Sequence, residues 1–82
     1  MAHLLVIDDE TTMRSALRLA LERSGHVITE AVDGKTGLEL IDPAVHEVII
    51  TDIVMRGTEG LEVLMELRRQ HSKIKVIAMS GG

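Results

Sequence analysis

The sequence predicts an open α/β sheet of parallel strands with helices on both faces. Three observations carry this. Short, continuous apolar runs recur at residues 3–7, 27–32, 47–52 and 74–79, stretches of helical period lie between them, and the spacing leaves room for crossovers of about a dozen residues. A run that is apolar at nearly every position suits a strand covered on both faces, which is the condition of a parallel sheet.

The elements follow in order. HLLVI (3–7) is the first strand, ended by Asp8, Asp9 and Glu10. Met13, Ala16, Leu17, Ala20 and Leu21 recur at i, i+3, i+4, i+7 and i+8 and predict one face of a helix. Gly25 stands just past Arg23 and Ser24, where a left-handed cap ends a helix. Residues 27–32 form the second strand. Asp33 is an N-cap for a shorter helix to about residue 41, which Pro43 keeps from continuing. Gly34 and Gly37 weigh against that helix, because glycine is a weak helix former. Residues 47–52 make the third strand. Thr58 then caps a helix in which Gly60, Val63, Leu64 and Leu67 share a face, and residues 74–79 supply the fourth strand.

Composition narrows the function. A chain of 82 residues with 45% hydrophobic side chains, a net charge of −4 and one proline is a folded domain or a piece of one, not a disordered tail. It holds no aromatic residue, so its core is aliphatic. The absence of cysteine excludes disulfides and thiolate metal sites and suits a reducing compartment, so a cytoplasmic location is expected. No apolar stretch approaches the roughly 20 residues that span a bilayer, and the first ten residues lack the basic start of a secretory signal, so no membrane association is expected. The acidic balance, with no cluster of Lys and Arg, argues against nucleic-acid binding by this segment.

The chemistry lies in a few acids. VIITDIVM (48–55) is a strand fit for burial that ends on a carboxylate, Asp52. In a parallel sheet the carboxyl ends of the strands share one edge, where ligands bind. Asp8 and Asp9 leave the first strand there, Asp52 the third and Ser80 the fourth. Three carboxylates close together repel one another, and a hard divalent cation with oxygen ligands offsets that repulsion. Magnesium is favoured over zinc, since neither cysteine nor a spaced histidine pair is present. A carboxylate so placed can attack a phosphoryl group once the negative charge between them is neutralised.

VIDDE (6–10), TDIVM (51–55), GTEGLEVL (57–64) and MSGG (79–82) together resemble the receiver domains of two-component response regulators, and the resemblance covers the whole chain. It implies a flavodoxin-like, doubly wound parallel sheet in the strand order 2-1-3-4. It implies that Asp52 is the phosphoacceptor, that Asp9 and Asp52 ligate Mg2+ directly and Asp8 through water, that the backbone carbonyl of Val54 completes the protein ligands, and that Ser80 is the switch hydroxyl. The implied partner is a histidine kinase or phosphotransfer protein, and the chain would catalyse only its own phosphorylation and dephosphorylation.

The sequence departs from that pattern in two respects. Arg56 stands where the family usually has proline. Receivers resembling this chain continue through a fourth helix, a fifth strand and a fifth helix, so residues 1–82 are read as the N-terminal portion of one, without the family's fifth-strand lysine. Lys73 and Lys75 precede the carboxyl end of the fourth strand and do not replace it. Phosphorylation is expected to be impaired as a result. The fourth strand becomes an apolar edge, which predicts a homo-oligomer through that strand or the uncovered sheet face, including a domain-swapped form. Two rival readings are a pseudo-receiver that signals by contacts alone and a phosphatase with an aspartyl nucleophile. VIDDE lacks the Asp-x-Asp spacing of the latter.

The remaining residues take plain readings. His3, His26, His46 and His71 lack ligand spacing and are expected at the surface or at strand ends. Met55 and Met65 are expected to fill the core, and Glu66 with Arg69 to form a solvated i, i+3 pair.

Overall fold

The computed structural model describes residues 2–52, 59–71 and 73–79. Its elements are β1 (His3–Ile7), α1 (Thr11–Arg23), β2 (Val27–Ala31), α2 (Gly34–Leu40), β3 (Val48–Asp52), α3 (Glu59–Gln70) and β4 (Lys75–Met79). The strands form one sheet in the order β2-β1-β3-β4, and each neighbouring pair is parallel. This is the flavodoxin-like order that the resemblance to receiver domains implies. Thr58, Met55 and Arg56 lie outside the described residues.

Alternate strand residues divide the core in two. Leu5, Ile7, Ala31 and Ile49 pack against Val63 and Leu67 of α3 and against Ile74, joined by Leu38 of α2. On the opposite face Leu4, Val6 and Ile50 meet Leu17 and Leu21 of α1. Helices therefore cover both faces, and four of the five residues of β1 are buried, which is why that strand shows no polar alternation.

The first helix has the predicted phase but a narrower buried face. Only Leu17 and Leu21 of the five expected residues join the core; Ala16 and Ala20 are exposed, and Met13 is 48% exposed. Among the described residues the helix lies mainly over β1 and β2, so little of its circumference meets the sheet. It ends as predicted. Gly25 has φ +89°, its N–H donates to the Glu22 carbonyl at 3.0 Å, and that of His26 donates to the Leu21 carbonyl at 3.2 Å, a Schellman cap that only a residue without Cβ enters freely.

Helix α2 forms despite its glycines, and through them. Asp33 caps it by accepting the Thr36 N–H at 2.7 Å, and that bond holds the Asp33 carboxyl below the usual carboxylate range. Gly34 and Gly37 are its buried residues. A Cβ on Gly34 would stand 1.9 Å from Val63 Cγ2, and one on Gly37 would stand 2.4 Å from Ile7 Cδ1. The glycines are thus the surface on which α3 and β1 approach α2.

One plain reading needs correction and another needs refinement. Met65 is exposed, because it lies two residues from both Val63 and Leu67 and so points away from the face they bury. Glu66 and Arg69 do pair at the surface, at 3.1 and 2.5 Å. His46, expected at the surface or at a strand end, lies two residues before β3 and is buried at 7% exposure. The loop after α2 folds back on β2, where His46 Nε2 lies 3.1 Å from Thr29 Oγ1 and Nδ1 accepts the Asp42 N–H at 2.9 Å.

That acceptor role makes His46 sensitive to pH. Burial pushes its pKa below the ordinary imidazole value, outweighing nearby Asp42, which acts the other way. The fold then binds fewer protons than the unfolded chain, so it loses stability as pH falls below about 6.5 toward the lowered folded value. His46→Gln keeps an acceptor and does not titrate. Between pH 7 and pH 5 the melting temperature of the wild type should therefore drop further than that of the variant, and parallel declines in circular dichroism melts would contradict the assignment.

Candidate metal centre

Successive connections send β2 to one side of β1 and β3 to the other. The crevice between the carboxyl ends of β1 and β3 is therefore a topological switch point, where open α/β sheets bind ligands. Asp8 and Asp9 directly follow β1, and Asp52 is the last residue of β3. One carboxylate oxygen from each lies within 4.8 Å of the others. Asp8 is buried at 1% exposure, Asp9 is exposed and Asp52 half-buried, so the group runs from the sheet to solvent. The donor set is all carboxylate, hard and anionic, which fits Mg2+ or Ca2+ and not a soft metal.

The local bonding explains why Asp8 holds its place. Its N–H donates to the Ala31 carbonyl at 3.1 Å, extending the β1–β2 pairing by one step, and its Oδ1 accepts the Glu10 N–H at 2.9 Å. Its own carbonyl accepts from Arg14 Nη1 at 2.7 Å. Beside Asp52, Thr51 is fully buried, which seats the strand end rigidly in the sheet.

Sequence reasoning passed over Arg14 and its partner Glu30. Arg14 Nε donates to Glu30 Oε1 at 3.0 Å, and Arg18 Nη1 donates to Glu30 Oε2 at 2.7 Å. Bonding first to Arg18 and also to Arg14 keeps the Glu30 carboxyl below the usual range. The one sequence signal was an arginine close to a helix N-terminus, where the helix dipole disfavours a cation.

Of the residues expected at the site, Asp8, Asp9 and Asp52 come together, and Val54 and Ser80 lie outside the described residues. Lys75 opens β4 in register with Val48, at the end of the sheet opposite the acids.

Comparison with known proteins bears on this arrangement. The response regulator receiver domain family matches residues 4–82. The transcriptional regulatory protein AfsQ1 of Streptomyces coelicolor is 38% identical over 69 residues, which are 84% of this chain and 31% of that protein. The sensor kinase CckA of Brucella abortus is 35% identical over 82 residues, 98% of this chain and 9% of its own. The crystal structure of the response regulator TrrA of Thermotoga maritima in complex with Mg2+-BeF superposes with a TM-score of 0.91 at 33% identity, covering 100% of this chain and 71% of that one. A structure of TrrA in complex with the histidine kinase ThkA gives 0.89, again at 33%, covering 99% of this chain and 70% of that one. The chain spans about a third of the length of curated relatives such as AfsQ1.

Proposed function

The chain belongs to the response regulator receiver domain family, and from that premise we propose that it is a phosphoacceptor module. Asp52 accepts a phosphoryl group from the phosphohistidine of a partner histidine kinase or phosphotransfer protein. The observation that carries this is the meeting of three carboxylates within 4.8 Å at the switch point of the sheet. TrrA supports it as a relative of the same fold crystallised both with Mg2+-BeF and with a histidine kinase.

In the reaction an Asp52 oxygen attacks phosphorus. The new O–P bond forms as the P–N bond to the donor imidazole breaks, and the ring nitrogen leaves with the electron pair and takes up a proton. Asp52 is suited to this because β3 is held between β1 and β4, so the nucleophile is fixed before the donor arrives. Asp9 and Asp52 would hold Mg2+ directly and Asp8 through water, with the Val54 carbonyl as a further ligand and Ser80 as the hydroxyl that meets the phosphoryl group. Bound Mg2+ supplies the positive charge that offsets the carboxylates and the incoming phosphoryl oxygens. The chain would act on no substrate but itself. A cytoplasmic setting accords with a chain that lacks cysteine and in which no described helix is long and apolar enough to cross a membrane.

Intact mass after incubation with acetyl phosphate tests the proposal. One phosphoryl group should be gained with Mg2+ and none with chelator. No gain in either condition would overturn it.

We read residues 1–82 as the N-terminal portion of the receiver unit, and this chain by itself as self-associating. Ile77 on β4 is 47% exposed, and among the described residues no strand pairs with the outer edge of β4. An apolar open edge of this kind is a template for a second copy. Light scattering across a concentration series should show a dimer that Ile77→Lys returns to monomer. A wild-type monomer at every concentration would refute this.

A further inference from the structure

One side chain outside the acids of the crevice bonds to the peptide that joins two of them. Asp8 and Asp9 are consecutive, so the carbonyl of Asp8 belongs to the peptide that joins them, and Arg14 Nη1 donates to that oxygen at 2.7 Å. The same guanidinium is anchored on β2 by Glu30 Oε1 at 3.0 Å, and the Arg14 side chain is only 11% exposed. Glu30 is in turn steadied by Arg18 at 2.7 Å. A rigid planar fork thus spans from the second strand to the peptide plane between the two acids.

We propose that Arg14 is a positioning residue for the cation site. By holding the Asp8–Asp9 peptide it sets the direction in which the Asp9 carboxylate leaves the chain, and it adds to the bonds that Asp8 makes with the Ala31 carbonyl and the Glu10 N–H. The inference rests on the reading that Asp8, Asp9 and Asp52 hold Mg2+. The geometry calls for arginine in particular, because two acceptors in different directions must be met at once. The flexible, single-headed ammonium of lysine keeps the charge and loses that geometry.

Charge and position predict opposite outcomes here, which makes the proposal easy to test. A positive group near a cation site repels the cation, so removing it tightens Mg2+ binding if charge is all that matters. If Arg14 positions the acids, removing it weakens binding.

The experiment is a calorimetric titration of Mg2+ into the 82-residue chain and its Arg14→Lys and Arg14→Gln variants, since a chain without aromatic residues offers no intrinsic fluorescence. Circular dichroism melts establish that each variant is folded. Both variants should bind Mg2+ about tenfold more weakly, the scale at which partners of direct ligands act. In metal-free protein, amide exchange at Glu10, whose N–H bonds to Asp8, should quicken in both variants while exchange at the Asp33-capped Thr36 amide stays unchanged. Arg14→Lys matching the wild type in affinity and exchange, or Arg14→Gln binding more tightly, would overturn the proposal. A wild-type chain with no saturable Mg2+ uptake would instead overturn the metal reading on which it stands, and the proposal with it.

Discussion

Replacing Asp52 with asparagine is expected to remove the phosphoryl adduct altogether, however long the incubation and however much Mg2+ is added. An amide nitrogen or oxygen is a far poorer nucleophile than a carboxylate, and an attack by it would give no stable acyl phosphate. The substitution is nearly isosteric, so the strand end should survive. Asp9→Asn gives the contrast that makes the result specific. It leaves the nucleophile in place and removes one cation ligand, so the adduct should still form, with its Mg2+ dependence displaced to higher concentration by at least the roughly 10- to 100-fold that loss of an outer partner costs. Raised Mg2+ rescues one variant and not the other. If Asp52→Asn still gains a phosphoryl group, the acceptor lies elsewhere; if Asp9→Asn cannot be rescued at any Mg2+ concentration, Asp9 does more than hold a cation. Intact mass across a Mg2+ series reads both outcomes from the same samples.

The acids were legible in the sequence because the information needed is local: each follows a short apolar run, and a parallel sheet brings the ends of such runs to one edge. Gly25 was legible for the same reason, since a cap is read from the residues beside it. What stayed hidden depends on register and packing. Arg14 and Glu30 are sixteen positions apart, and their meeting requires that Glu30 stand beside Val6 in the β1–β2 register, which no local pattern specifies. The buried width of α1 depends on which strands the helix crosses, so the phase of its apolar residues could be read and its exposed Met13 could not. His46 sits in the loop between α2 and β3, with nothing at ligand spacing to mark it, and is buried because the loop turns back onto Thr29. The glycines of α2 mislead most. Propensity counts them against a helix, and tertiary structure uses the missing side chains as a contact surface.

That last point carries a quantitative expectation. Gly34→Ala improves helix propensity by at most about 1 kcal/mol, and on that ground alone would stabilise the chain. The new Cβ, however, would lie 1.9, 3.1 and 3.3 Å from three side-chain atoms of Val63. A β-branched residue in a helix has essentially one χ1 rotamer, and Val63 is buried against the core, so it cannot swing aside without moving α3. Overpacking of this kind costs about 1–3 kcal/mol and outweighs the gain in propensity. An approach of 1.9 Å belongs to the upper part of that range, about 2–3 kcal/mol, so the net loss is about 1–2 kcal/mol and lowers the melting temperature of a chain this size by roughly 4–16 °C. Val63→Ala by itself should also destabilise, by leaving a void where its methyls were. In the double variant the alanine at position 34 grows into that void, so the two losses should fall short of their sum by about 1 kcal/mol or more, the coupling seen between residues in contact. Melts followed by far-ultraviolet circular dichroism at one low protein concentration keep self-association out of the comparison. Strict additivity would mean that α2 and α3 do not meet at Gly34, and the close approach of these two helices would then have to be set by other residues.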